Sequence, residues 1–160
     1  MNTQERSGKI PTFLLVLLIL TSIHTGFGLF DLLTSIGDPP PDDLSGVIEE
    51  VIYGSNTDLS QLPDWLMPEL MSFVGQLTAN YGLINAMELA YFLLLAPAIV
   101  LMFNLKRIGY YIYVCTQVFG VAYIPFLYGS NTFSWFMVAL FSTTTALFII
   151  LYTMNYKHLR

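Results

Sequence analysis

Two ionisable side chains stand inside long apolar runs of this 160-residue chain: His24, within Ile10–Phe30, and Glu88, within Leu83–Phe103. An ionisable group in hydrocarbon is costly, and those found there often serve proton relays, ion sites or structural pairs. Counted from the same side at ~1.5 Å per helical residue, His24 lies ~21 Å and Glu88 ~24 Å along its run. The depths match well enough for a His24–Glu88 contact if the two runs are neighbours. Such a pair has the chemistry of a proton relay, an ion site or a lock between helices. Asp31 and Tyr81 stand at the same level and offer Glu88 other partners. One pair without further acids in line makes a poor proton pathway.

Gln117 lies near the middle of a third apolar run, Ile108–Tyr128, and Ser142, Thr143, Thr144 and Thr145 lie near the middle of a fourth, Thr132–Thr153. Together they have the chemistry to line a polar pocket. Hydroxyl residues in apolar helices more often bond back to their own carbonyls, and small residues such as Ala86 and Ala90 let helices approach closely. Gln117 is the exception, because its amide carries two donors and an acceptor that a helix cannot satisfy internally. His24, Glu88 and Gln117 are therefore the candidate intramembrane polar site.

Other chemistry finds little support. The one cysteine, Cys115, cannot form an intramolecular disulfide and is expected to be a small buried hydrophobe. There is no CxxC, HExxH or His/Cys cluster, so no metal site is expected. The only other histidine, His158, is in the tail, which leaves a Ser/His/Asp nucleophile without support. No phosphate-binding loop or dinucleotide fingerprint occurs, so no cofactor is expected. A basic face for nucleic acid is absent.

The elements that must position these residues follow from composition. Hydrophobic residues make up 55% and charged residues 11%, with mean hydropathy +0.63. A soluble domain carries about 25% charged residues. The four runs, 10–30, 83–103, 108–128 and 132–153, are each about 20 residues long, enough for a helix to cross a ~30 Å hydrocarbon core. Helices satisfy their backbone internally, as lipid requires. Barrel strands are shorter and alternate in polarity.

Charge sets the expected orientation. The six basic residues fall in three places: Arg6 and Lys9, Lys106 and Arg107, Lys157 and Arg160. Nine of the eleven acids lie between Asp31 and Glu69, a stretch without Lys or Arg. With four crossings, all three basic places share one side, the cytoplasmic one by the positive-inside rule. Both termini are then cytoplasmic and the acidic loop 31–82 is outside. The expected location is a plasma membrane or a bacterial inner membrane. A cleaved signal peptide competes for the first run, but apolar character continues through Ile23, Phe27 and Phe30 with no clear cleavage site.

Within the outer loop, the three prolines of Gly37–Asp43 exclude regular helix. Leu44, Val47, Ile48, Val51 and Ile52 then recur at helical spacing, and a second short amphipathic helix is expected from Asp64 or Pro68 toward Asn80. These two helices are expected to cap the ends of the spans rather than lie on anionic lipid, because their polar faces are acidic. The string Tyr-Gly-Ser-Asn-Thr occurs at 53–57 and at 128–132 and reads as the same turn-forming residues used twice. Tyrosines near the ends of the third and fourth runs fit interfacial anchoring.

The expected fold is an all-α membrane protein, a single domain over residues 1–160: an antiparallel four-helix transmembrane bundle with two short amphipathic helices in the outer loop. The expected role is that of a non-enzymatic accessory or scaffold subunit acting by lateral or outer-face contact. Its partners are then the lipid bilayer and another membrane protein or a second copy of the chain, and not nucleic acid. The alternative is a small transporter or channel component using His24, Glu88 and Gln117. A membrane enzyme ranks third, since it needs several titratable groups converging on one pocket.

Overall fold

The computed structural model describes residues 10–35 and 63–160. The proline-rich breaker, the amphipathic pattern of Leu44–Ile52 and the first Tyr-Gly-Ser-Asn-Thr string lie outside the described residues. Among the described residues all regular structure is helical: α1 (Thr12–Ser35), α2 (Leu66–Ala79), α3 (Tyr81–Phe103), α4 (Arg107–Tyr128) and α5 (Thr132–Asn155), then a 3₁₀ turn over Tyr156–His158. Four of these helices, α1, α3, α4 and α5, are long and apolar enough to cross a membrane.

Each long helix is apolar all round, so packing rather than amphipathic pattern selects the face turned inward. On α4 that face is Gly109, Tyr113, Thr116, Ile124 and Leu127, at helical spacing. On α3 it includes Ile84, Phe92, Leu95, Ile99 and Met102, and on α1 Leu14, Leu18, Thr21, Thr25 and Leu32. α3 is central, packing along both α1 and α4, while α5 lies along α4 and touches α1 more briefly. Helix α1 continues past the apolar run to Ser35 because Leu32 is buried and the hydroxyls of Thr34 and Ser35 bond back to the carbonyl of Asp31.

α3 ends in a Schellman motif. Lys106 N donates to Leu101 O at 2.9 Å and Leu105 N to Met102 O at 2.9 Å. Leu105 takes the left-handed position with φ 57°, a place usually held by glycine. Leu105 packs against the core, which offsets the strain of that conformation. The turn places Gly109 directly against α3: a Cβ there would lie 2.7 Å from the Ala98 carbonyl oxygen and 2.8 Å from the Met102 nitrogen.

At the opposite end, α2 lies across the turn between α4 and α5. Asn80 Nδ2 donates to Leu127 O at 2.7 Å, and Thr132 N donates to Glu69 Oε2 at 2.8 Å. The Phe73 ring stacks on Tyr128 at 5.3 Å and sits 6.0 Å from Phe133. The second Tyr-Gly-Ser-Asn-Thr string forms this turn: Gly129 has φ 75°, and Asn131 caps α5 by accepting from Ser134 N at 2.8 Å. Asn80→Ala removes a side-chain bond worth about 1 kcal/mol. It is expected to speed amide exchange in α2 while leaving α3–α5 protected. Equal exchange in the variant and the parent protein would mean that the Glu69–Thr132 bond and ring packing suffice to hold α2.

Candidate functional site

The structure places His24, Glu88 and Gln117 in three different surroundings. Gln117 turns sideways from α4 and bridges two helices. Its Nε2 donates to the Tyr91 hydroxyl of α3 at 3.0 Å, and its Oε1 accepts from Thr145 Oγ1 of α5 at 3.2 Å. Tyr91 is held in place because its ring lies over Gly120, where a Cβ would be 2.7 Å from a ring carbon. The amide thus finds partners on both flanking helices, and α3, α4 and α5 are tied at one level.

Thr145 stands apart from its neighbours. Thr143 donates to Ala139 O at 2.8 Å and Thr144 to Leu140 O at 3.2 Å, the local back-bonding common for hydroxyls in helices. Both are exposed on the outside of α5, whereas Thr145 faces Gln117. A polar crevice lined by the whole hydroxyl run does not form.

His24 is exposed on α1, with its ring centroid 6.0 Å from that of Phe92. Glu88 lies on the inward stripe of α3, one turn from Ile84 and from Phe92, and interacts electrostatically with Asp31, Tyr123 and Tyr128. Among the described residues no hydrogen bond or ion pair joins His24 to Glu88. The register of α1 against α3 separates them: the Phe92 ring packs over Gly28, and Glu88, one turn along α3, interacts with Asp31, seven residues beyond His24 on α1. Cys115 also differs from expectation: it is exposed, on the outward stripe of α4 with Tyr111, Val118 and Phe126.

Sequence reasoning missed a second polar contact. Thr21 of α1 and Tyr152 of α5 are both buried, with their oxygens 2.8 Å apart. Thr21 Oγ1 already donates to Leu17 O at 2.9 Å, so Tyr152 is the donor between them. The Tyr152 ring meets Tyr113 of α4 edge-on at 4.7 Å. Tyr152 reads in the sequence as an interfacial anchor; only the packing of three helices shows that it is core. Every fully buried side-chain polar atom among the described residues has a partner, and these residues contain no group of three potential metal ligands.

Gln117→Leu removes two interhelical hydrogen bonds, each worth about 0.6 kcal/mol in an apolar bundle. The expected loss is modest, about 1 kcal/mol, in a denaturant titration in mixed micelles. A loss several times larger would point to a wider polar network around the amide.

These features define an all-helical protein with four helices able to span a membrane and with interhelical polar contacts among their buried and half-buried groups. No protein-family model, curated protein or solved structure matches the chain.

Proposed function

We propose that α1, α3, α4 and α5 cross a bilayer as an antiparallel bundle, with Lys106, Arg107 and both termini on the cytoplasmic side and α2 as an amphipathic cap outside. In this arrangement the protein is a non-enzymatic accessory or scaffold subunit that works by lateral contact. The observation that carries this reading is α5. Between Ser134 and Tyr152 none of its residues is buried within the chain, so one whole side of the helix is free for a partner. That side offers small and hydroxyl residues, Ala139, Thr143 and Ala146, beside Phe136, Leu140 and Leu147, a combination that favours close helix–helix approach in membranes. The polar contacts of the interior support the same reading, since Gln117 and Tyr152 bind neighbouring helices of the same chain.

The test is a mild-detergent pull-down of the tagged full-length protein, with mass spectrometry of what remains bound. A single stoichiometric membrane partner, lost in an Ala139→Trp/Thr143→Trp variant that still folds, supports the subunit reading. A clean monomer overturns it. The competing reading, a small transporter or channel component, draws on Glu88, which lies on the inward stripe of α3 and has no hydrogen-bond donor among the described residues. It is favoured if Glu88→Gln abolishes a flux in reconstituted vesicles while the helices and the pull-down stay unchanged.

A further inference from the structure

The end of the molecule built by the α3–α4 turn and the tail after α5 gathers positive charge. The tail folds back onto the turn. Arg160 N donates to Leu105 O at 2.6 Å, and Arg107 N donates to Arg160 O at 2.8 Å. Arg107 Nε adds a third bond, to Leu159 O at 3.0 Å, and Leu159 is 2% exposed, inserted into the core. The two backbone bonds fall on either side of Lys106, in the pattern of a parallel bridge.

Lys106, Arg107, Lys157 and His158 are all exposed at this end. The acids of the described residues, Asp31, Asp64, Glu69 and Glu88, belong to α1, the segment leading into α2, α2 itself and the start of α3. Among the described residues no Asp or Glu side chain pairs with Lys106, Arg107 or Lys157. The Arg107 guanidinium lies 5.3 Å from the centre of the Tyr156 ring, which holds it beside the aromatic group at the helix end.

That group supplies a directed donor. Thr153 Oγ1 donates to Ile149 O at 2.6 Å, so in the 2.7 Å Tyr110–Thr153 contact Tyr110 is the donor and its proton is engaged. Tyr111 and Tyr156 share one hydrogen bond at 2.8 Å, which uses only one of their two hydroxyl protons. The other proton remains to be donated outward, next to Arg107. Cations, a planar guanidinium and a free hydroxyl at the end of four apolar helices match the phosphate of a lipid whose tails lie along those helices.

We propose that this end binds the phosphate of an anionic phospholipid headgroup through Lys106, Arg107 and Lys157, assisted by the Tyr111–Tyr156 hydroxyl pair. The proposal rests on the membrane-spanning reading and not on the identity of any protein partner. The test is native mass spectrometry of the detergent-purified full chain with phosphatidylglycerol or phosphatidylcholine of the same acyl chains, and with inorganic phosphate as a third arm. Phosphatidylglycerol is expected to be retained in preference to phosphatidylcholine. Each cation removed should weaken its retention about fivefold. Lys157→Gln, at an exposed side chain with no hydrogen bond or ion pair among the described residues, and the double change Lys106→Gln/Lys157→Gln provide the series, with helicity checked by circular dichroism. Arg107 is left unchanged because it also holds the tail.

Equal retention of the two lipids, or no loss in the double variant, overturns the site. Displacement of phosphatidylglycerol by millimolar inorganic phosphate also overturns it as a lipid site and leaves a site for free phosphate. Alkaline carbonate extraction of the source membranes tests the underlying reading separately. Release of the chain overturns both readings, whereas retention in the pellet with equal lipid binding overturns the headgroup site alone.

Discussion

Replacing Tyr152 by alanine is expected to remove about 3 kcal/mol of stability, at the lower end of the range for deleting a buried aromatic ring. The lower end applies if the helices lie in a bilayer as proposed, since burial from lipid, unlike burial from water, gains little from transfer and leaves packing as the main loss. Tyr152 is 1% exposed, its ring meets the equally buried Tyr113 at 4.7 Å, and its hydroxyl donates to Thr21. Three helices, α1, α4 and α5, meet on this one side chain. Tyr152→Phe keeps the ring and loses only the hydrogen bond, so its expected loss is about 0.6 kcal/mol. The two variants are compared by titrating helicity with a denaturing detergent in mixed micelles. If phenylalanine destabilises as much as alanine, the hydrogen bond and not the ring holds α1 to α5. If neither change has an effect, the junction is not a core at all.

The four apolar helices could be read directly from the sequence, because each is a run almost free of charge between polar or basic segments. What could not be read is rotation about each helix axis. An all-round apolar helix has no polar face to announce which side is inward, and only contacts with neighbours decide it. This is why Cys115 is exposed. The register of one helix against the next could not be read either: Phe92 packs over Gly28, so Glu88 comes level with the region of Asp31 and not with His24. Gln117 was legible as a residue in need of a partner, since its amide demands one. That the partner is Tyr91 was not, because a tyrosine in an apolar run reads first as a ring and only second as a hydroxyl. Local chemistry fared better: Thr143 and Thr144 bond back to their own helix as hydroxyls generally do. Thr145, one position further round the helix, is turned toward α4 and escapes that rule.

Gly109→Ala is expected to destabilise the protein by about 1–3 kcal/mol, the usual penalty for forcing extra volume into a packed contact. The added methyl meets the Ala98 carbonyl oxygen and the Met102 nitrogen, at 2.7 and 2.8 Å, as well as the Leu101 Cβ at 2.7 Å. Two of these three are backbone atoms, so no rotamer change can relieve the clash, and α3 and α4 must move apart. Gly26→Ala is the matched control, because nothing lies within 4 Å of the new methyl. It should show only the helix-propensity gain of replacing a glycine, about 0.5–1 kcal/mol of stabilisation. The Gly109 change also has a signature that general destabilisation lacks. Arg107 stands two residues before Gly109 and carries the bonds to Leu159 and Arg160. A shift of the first turn of α4 therefore pulls on the tail, and cleavage after Lys157 by trypsin should quicken at denaturant concentrations where the rest of the helices remain intact. Tail cleavage that quickens only as the whole protein unfolds would show that α4 absorbs the methyl without moving its first turn. The close packing of α3 on α4 would then be looser than the contact at Gly109 implies.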